Sequence, residues 1–520
     1  MDQRRLLIAF ALSMLVLVLY PRLVLRHYEK PNPPAPASQE SARPEAPADV
    51  PAAKPAPKTP AGLAAPRNGS AEVAVRTDVM HAILSPVGAR LASLELNAFR
   101  RSVAPDSQPL ELVEDGAVLP LTVQLGTGVN DAALVYRPDR TTLELHAGES
   151  GQVVFTAETP DGQRLEKRYS FTGEGYSFDL AASVEGSAKP SALEIVLTPM
   201  PSDIRGHQMA VALGERGLVQ KPLETLAKQP ETTELPGAAW AGFAEQYFLT
   251  AVAPAEGAGR AVIGAIEGVP VVQLEAPAAG GAAAFVVYAG PKDRDALARA
   301  GHGLDRALDF GWFWFIALPL LHALRLLHDV TGNYGVAIIV LTALVKVATM
   351  PLTQATFRNM REMQKIQPQM AKLRERFKED QAALQKEMME LYRRHRVNPF
   401  AGCLPMLLQL PIFVGLYNAL MHAVELRHAP FALWINDLSA PDRLVVAGVG
   451  VPVLTLLMGA SMFLQQWISP AQGDPTQQRM MMFMPLVFTF TFLNFPAGLV
   501  LYWLVNNVIT IGQQYFLLRT

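Results

Sequence analysis

The sequence predicts an α+β membrane protein: an antiparallel β-sandwich outside the cytoplasm, then a polytopic α-helical membrane domain with a charged helical hairpin inside it. Three observations predict this class. Apolar residues make up 50% of the 520-residue chain and charged ones 18%, against roughly 25% charged in an ordinary soluble domain. Residues of about 71 to 290 alternate apolar and polar with period two between turn residues, the mark of half-buried strands. From residue 311 onward, apolar stretches recur near the roughly 20 residues that a bilayer core requires. The mean hydropathy of +0.17, averaged over a chain with a long polar half, excludes a purely soluble protein. A single cysteine excludes a disulfide framework and any paired-cysteine metal knuckle. A formal charge of −2 supplies no global basic excess, so nucleic-acid binding is not expected.

The amino terminus places Arg4 and Arg5 before an apolar run from Leu6 to Tyr20 that continues past Pro21 to Leu25. Basic residues ahead of such a run mark a cytoplasmic flank. A cleavable signal peptide is the competing reading, but Pro-Arg-Leu-Val-Leu-Arg-His-Tyr stands where small residues would be cleaved. Residues 1–27 therefore read as an uncleaved anchor. Pro31 to Pro66 holds 11 prolines and 11 alanines in 36 residues, a composition that extends rather than packs; residues 28–70 are a spacer.

Residues 71–300 form the sandwich. Its strands are read from Glu72-Val-Ala-Val-Arg, Leu121-Thr-Val-Gln-Leu, Thr142-Leu-Glu-Leu-His, Gln152-Val-Val-Phe-Thr, Tyr176-Ser-Phe-Asp-Leu and Leu193-Glu-Ile-Val-Leu. Pro160-Asp161-Gly162 is a hairpin turn. Trp240, Phe243, Tyr247 and Phe248 cluster in sequence and suit a core or a helix end.

Residues 311–329, with Trp312 and Trp314 at one end and His322, Arg325 and His328 along the other half, suit a helix lying in the interface. Residues 330–520 make the membrane core, with spans at about 334–357, 400–424, 444–468, 480–495 and 497–518. With the anchor these make six transmembrane helices. The insert at 358–397 separates the first two. Arg358 to Arg396 carries 11 Lys/Arg against 6 acids, net +5, which places it in the cytoplasm, the sandwich outside and both termini inside. Met360, Met363, Ile366, Met370, Leu373 and Phe377 follow helical spacing, as do Leu384, Met388 and Leu391, so the insert reads as two helices. Its methionine seam would offer a soft surface to apolar partners.

Enzyme signatures are absent. No His-Glu-x-x-His, Gly-Lys phosphate loop or Gly-x-Ser-x-Gly elbow occurs, and Gly459-Ala460-Ser461 lacks the closing glycine. No cofactor is implied. Cys403, between Gly402 and Leu404, suits packing in a span. The informative residue is Lys346, about 16 Å along the helix that begins near Gly335 and so close to mid-membrane. A cation there costs on the order of 3 kcal/mol on insertion scales, and no other span carries an acid to pair with it. It either snorkels to the cytoplasmic interface or lines a hydrated cavity. Thr342 lies one turn before it. In the last span Tyr502, Asn506, Thr510 and Gln513 make one stripe, with Asn507 and Gln514 beside it, and Gln409, Gln465 and Gln466 add amides from two more spans. Singly, each can be helix–helix glue; together with an unpaired lysine they read as the lining of a groove.

These features resemble the YidC/Oxa/Alb family of membrane protein insertases in its Gram-negative form. The carrying stretches are Gly332-Asn-Tyr-Gly, Met350-Pro-Leu-Thr, Val397-Asn-Pro, Gly402-Cys-Leu-Pro-Met, Gln409-Leu-Pro-Ile-Phe, Ala429-Pro-Phe-Ala-Leu-Trp-Ile, Met484-Pro and Phe495-Pro-Ala-Gly-Leu-Val-Leu-Tyr-Trp. They cover most of residues 311–518 in order, and Gln246-Tyr247-Phe248 matches near the end of the sandwich. The resemblance implies an inner-membrane protein with a periplasmic β-sandwich and five core helices around a groove open to cytoplasm and lipid. A cation in that groove draws in the acidic tail of a nascent membrane protein. Lys346 stands where the family usually has arginine, keeping the charge without the planar fork. Thr342, Tyr502 and Trp503 fall where family members contact substrate. Met363, Met370 and the Val397-Asn398-Pro399 junction match the family's mobile hairpin. Implied partners are nascent membrane proteins, the Sec translocon, the ribosome and targeting factors, and membrane lipid. Two rival readings stay open on the residues alone: a secondary transporter using Lys346 as an ion or proton site, and an envelope enzyme or glycan-binding protein working through the sandwich.

Overall fold

The computed structural model describes residues 72–113, 119–124, 130–159, 162–186, 189–201, 208–228, 231–266, 268–378, 380–395, 404–468 and 475–519. The anchor and spacer read from residues 1–70 lie outside these, as do Pro160, Asp161, Asn398, Pro399 and Cys403. The described chain divides into a β-rich unit ending at Ala307 and a helical unit beginning at Leu308, to which the short segment Ser102–Ser107 also belongs.

Alternation builds the β-rich unit. In Ser177–Glu185, Phe178, Leu180, Ala182 and Val184 point inward while Asp179 and Ala181 face water; a one-residue slip would invert every one of them. A nine-stranded sheet runs edge to edge through Gly217–Pro222, Met209–Gly214, Trp240–Ala244, Phe248–Pro254, Ala282–Pro291, Ser177–Glu185, Arg164–Thr172, Ser150–Glu158 and Arg137–Pro138. It packs on a five-stranded sheet ordered Thr233–Ala238, Gly259–Ile266, Val269–Pro277, Ala192–Leu197, Thr122–Gln124. A further five-stranded sheet, from Pro109–Val113 to Thr142–Glu144, adds to this pair; Phe99 meets Phe248 edge-on across it at 5.2 Å. One pairing departs from the antiparallel expectation: Val73–Arg76 runs parallel to Thr142–Glu144. Trp240, Phe243, Tyr247 and Phe248 are all core, each worth roughly 1.5–3 kcal/mol of burial.

The three sheets meet at a lysine that sequence alone did not single out. Lys167, on Arg164–Thr172, is 1% exposed, and its Nζ lies 2.6 Å from Asp131 Oδ2. The same ammonium donates to Gly88 O at 2.7 Å and Leu121 O at 2.9 Å. Asp131 also accepts from the Val123 amide at 2.9 Å and the Tyr136 hydroxyl at 3.0 Å. Gly88 (φ 73°), Ala89 (φ 42°) and Leu121 (φ 70°) are left-handed, a conformation that costs a side-chain-bearing residue roughly 1–2 kcal/mol. The network offsets that strain by fixing where the carbonyls point.

The helical unit contains α1 (Trp314–Thr331), α2 (Tyr334–Arg376), α3 (Gln381–Arg394), α4 (Leu404–His422), α5 (Val453–Ile468), α6 (Pro475–Phe492) and α7 (Ala497–Arg519). Gly332, at φ 67°, closes α1, and Asn333 opens α2 by accepting from the Val336 amide. Two expectations are corrected here. The first expected span and the first arm of the charged hairpin are one helix, because nothing between Met350 and Arg361 stops it: Pro351 removes a donor but the turns on both sides continue. The expected span at 444–468 begins only at Val453. Residues Leu444–Val451 are a two-stranded ribbon turning at Ala447 and Gly448, both left-handed, and their uniform apolarity had mimicked the start of a helix.

Among the described residues one helix, over Tyr334–Pro351, is long and apolar enough to cross a membrane; Val453–Ile468 and Met481–Phe492 are shorter apolar helices. In α7 the amides Asn506, Asn507, Gln513 and Gln514 dilute the hydropathy.

Candidate functional site

The groove candidates lie on three helices. α2 presents Thr342 and Lys346, α4 presents Gln409, and α7 presents the stripe from Tyr502. Lys346 is 9% exposed, and its Nζ donates to Thr510 Oγ1 at 2.9 Å. Thr510 in turn donates to the backbone of Asn506 at 2.6 Å. Gln409 Nε2 donates to the Tyr502 hydroxyl at 2.6 Å and to Asn506 Oδ1 at 3.5 Å. Lys346, Thr510, Asn506, Gln409 and Tyr502 therefore form one connected polar tract through the helix packing. Among the described residues no carboxylate lies within ion-pair distance of Lys346. Gln513 continues the stripe, and its buried Oε1 has no hydrogen-bond partner, an uncompensated acceptor of the kind a polar guest would satisfy. Thr342 is buried beside the tract, but its hydroxyl is bonded back to Ile338 O at 2.6 Å.

The other proposed lining residues lie elsewhere. Trp503 packs among Phe413, Phe488 and Phe492, with ring centroids 4.7, 5.6 and 5.2 Å away; its indole knits α4, α6 and α7. Helix geometry explains the division, since successive residues point about 100° apart. Asn507, next to Asn506, likewise turns to α5 and donates to Ser461 Oγ at 3.0 Å. Gln465 lies one turn beyond Ser461, on the face that α5 gives to α7. Thus α7 has two polar faces, one toward Lys346 and one toward α5. Reading Ser461 only as a failed nucleophile motif missed its packing role.

The hairpin of α2 and α3 spends its methionine seam internally. Ile366, Met370 and Leu391 form a small core on which Met363, Leu373, Met388 and Tyr392 pack. Met389 is the exposed methionine, at 49%.

On the opposite side, residues 424–452 tie the helix ends together. Asp442 is 4% exposed and accepts from Trp434 Nε1 at 2.6 Å and from the Leu454 amide, capping α5. The amides of Ala497 and Gly498, at the start of α7, donate to Ala440 O and Leu438 O, both at 2.8 Å. Arg325 on α1 pairs with Glu425 at 2.5 Å.

Comparison with known proteins fixes what this architecture is. The sequence model described as "60Kd inner membrane protein" matches residues 326–520, and that described as "YidC periplasmic domain" matches residues 72–323. The membrane protein insertase YidC of Geobacter sulfurreducens is 41% identical over 456 residues, 84% of each chain. The chain belongs to the YidC family of membrane protein insertases. The YidC of Pelobacter propionicus is 36% identical over 538 residues, covering 99% of both chains. That of Geobacter metallireducens is 38% identical over 541 residues, 99% of this chain and 98% of its own. A crystal structure of an active YidC insertase with its first transmembrane domain resolved aligns with 86% of this chain and 93% of its own, at 19% identity and a TM-score of 0.38. As a YidC-family protein, the chain is an inner-membrane insertase, and residues 72–323 are its periplasmic domain. Moving a polypeptide segment into a bilayer makes and breaks no covalent bond, so the family's role is non-enzymatic.

Proposed function

We propose that this insertase receives the polar end of a nascent membrane protein in a hydrated groove that terminates at Lys346, acting alone or beside the Sec translocon. The observation that carries the reading is the burial of Lys346 against a single neutral hydroxyl, that of Thr510. A polar segment crossing an intact bilayer meets a high desolvation barrier. A groove reaching halfway shortens the path over which that barrier acts, and an uncompensated ammonium at its end lowers the energy of an acidic passenger.

The proposed topology has six spans: the N-terminal anchor, the apolar part of α2, α4, α5, α6 and α7. Both termini and the basic hairpin are cytoplasmic. The substrate's apolar span slides out along α5 and α6. Burial of that span and the membrane potential, about 2.3 kcal/mol per charge per 100 mV, supply the drive, with no nucleotide or cofactor. The basic hairpin meets the ribosome and targeting factors, and Asn398 and Pro399 mark its return to the membrane.

The test is protease protection of a short, acidic-tailed, single-span protein synthesised with proteoliposomes holding this chain alone. Protection should fall with Lys346→Glu and persist with Lys346→Arg. Protection indifferent to Lys346→Glu would remove the electrostatic role, and strict ATP dependence would remove the passive mechanism.

A further inference from the structure

The ribbon Leu444–Val451 has the sequence Leu-Val-Val-Ala-Gly-Val-Gly-Val, eight residues without a polar side chain. Val445, Val446 and Val449 are 69%, 53% and 65% exposed. Leu444 pairs with Val451 and Val446 with Val449, so these four share one face of the ribbon. An isolated two-stranded ribbon is marginal in water, and an apolar one with two open edges invites aggregation. Its base, by contrast, is braced. Asp442 caps α5, Arg443 donates to Asn494 Oδ1 at 3.2 Å, and Pro441 bridges to Pro496.

We infer that this ribbon is an interfacial anchor whose valine tip is seated in the headgroup–acyl boundary of the outer leaflet. The inference rests on the membrane topology proposed above. Two features select lipid as the occupant. The ribbon leads directly into α5, whose first turns already expose Leu456 and Leu457 at 49% each, so the apolar surface is continuous with the one facing hydrocarbon. Arg443 and the half-buried Trp434 stand at its base, the residue types that mark this layer. Depth is limited by the backbone. The outer edges carry unpaired N–H and C=O groups that hydrocarbon cannot satisfy, so only the tip inserts. Each strand reaches about 10 Å, comparable with the layer between acyl chains and water.

The test uses the full chain with Cys403→Ser and one new cysteine carrying an environment-sensitive fluorophore, in vesicles with nitroxides near the top or the end of the lipid acyl chains. Val446→Cys should show blue-shifted emission and stronger quenching by the shallow nitroxide than by the deep one. Val347→Cys on α2, 67% exposed at mid-span, should be quenched best by the deep nitroxide, and Glu149→Cys in the sandwich by neither. A Val446→Cys probe as water-exposed as the Glu149→Cys probe, with Val347→Cys behaving as expected, overturns the anchor alone. A Val446→Cys probe that is blue-shifted but unquenched by either lipid means a protein covers the ribbon, which also overturns it. Failure at Val347→Cys overturns the spanning topology itself.

Discussion

Lys346 and Thr510, 164 residues apart in sequence, meet ammonium to hydroxyl at 2.9 Å inside the helix packing. The contact joins α2 to α7 at a point where neither helix carries a carboxylate, so it positions a charge without neutralising it. Thr510→Val keeps the shape and removes the acceptor. It should destabilise the folded protein by about 1–3 kcal/mol, the usual cost of an unpaired buried donor, while Thr510→Ser stays near the parent. Thermal unfolding in detergent reads both. An unchanged Tm for Thr510→Val would mean that the ammonium finds water by turning toward the cytoplasm.

The junction of sheets at Lys167 gives a second expectation. Lys167→Met leaves the buried carboxylate of Asp131 with the Tyr136 hydroxyl, the Val123 amide and the field of the buried Arg90 guanidinium, and should cost about 3–5 kcal/mol. Lys167→Met with Asp131→Asn removes both charges and should recover much of that loss. Urea unfolding followed through Trp240, which is fully buried in the same unit, distinguishes them.

Close approach of α5 and α6 gives a third. A Cβ on Gly459 would collide with Thr489 Oγ1, which is held by its own bond to Pro485 O at 2.7 Å. Gly459→Ala should therefore lower stability by about 1–3 kcal/mol as an overpacking change, and adding Thr489→Ala should restore most of it. Equal Tm values for Gly459→Ala and the parent would show that the two helices can part freely.

A fourth concerns pH. His146 Nδ1 lies 3.0 Å from Asp78 on the sandwich surface. The hydrogen bond with Asp78 holds His146 above its ordinary 6.5, and that with His146 holds Asp78 below its ordinary 3.8. The histidine's contribution is full below about 6.5 and is lost as pH rises through its elevated folded value; the aspartate's is present above 3.8 and lost as pH falls through its depressed one. Both groups are exposed, so the effect is small and screened by salt. His146→Gln should lower Tm slightly at pH 5.5 and leave it unchanged at pH 9; a larger effect at pH 9 would contradict the assignment.

Much of this was readable in the residues. Strands such as Ser177–Glu185 alternate because one face is buried, and period two survives in sequence. The Tyr502–Asn506–Thr510–Gln513 stripe is legible for the same reason at helical period, and it contains the residue that Lys346 contacts. What was illegible is long-range or face-dependent. Asp131 lies in a bend outside the strands and Lys167 on Arg164–Thr172, and no local pattern announces that the fold brings them together. Trp503 adjoins Tyr502 in sequence but faces another helix. Leu444–Val451 is as apolar as a span, and composition alone does not separate an exposed ribbon from a buried turn of helix; the Ala447-Gly448 pair was the available signal.

The 43 residues of α2 form an unbroken rod of about 64 Å, with Lys346 near one third of its length and the hairpin core at Met370 toward its far end. Charge site and hairpin arm are thus mechanically in series. Any torque applied to the arm is delivered along the same backbone that holds the lysine. Two prolines, Pro351 and Pro368, lie inside the helix, and Pro351, which cannot donate to Val347 O, is the missing bond nearer the lysine. Bending at Pro351 would swing the arm while sparing the register of Lys346 with Thr510.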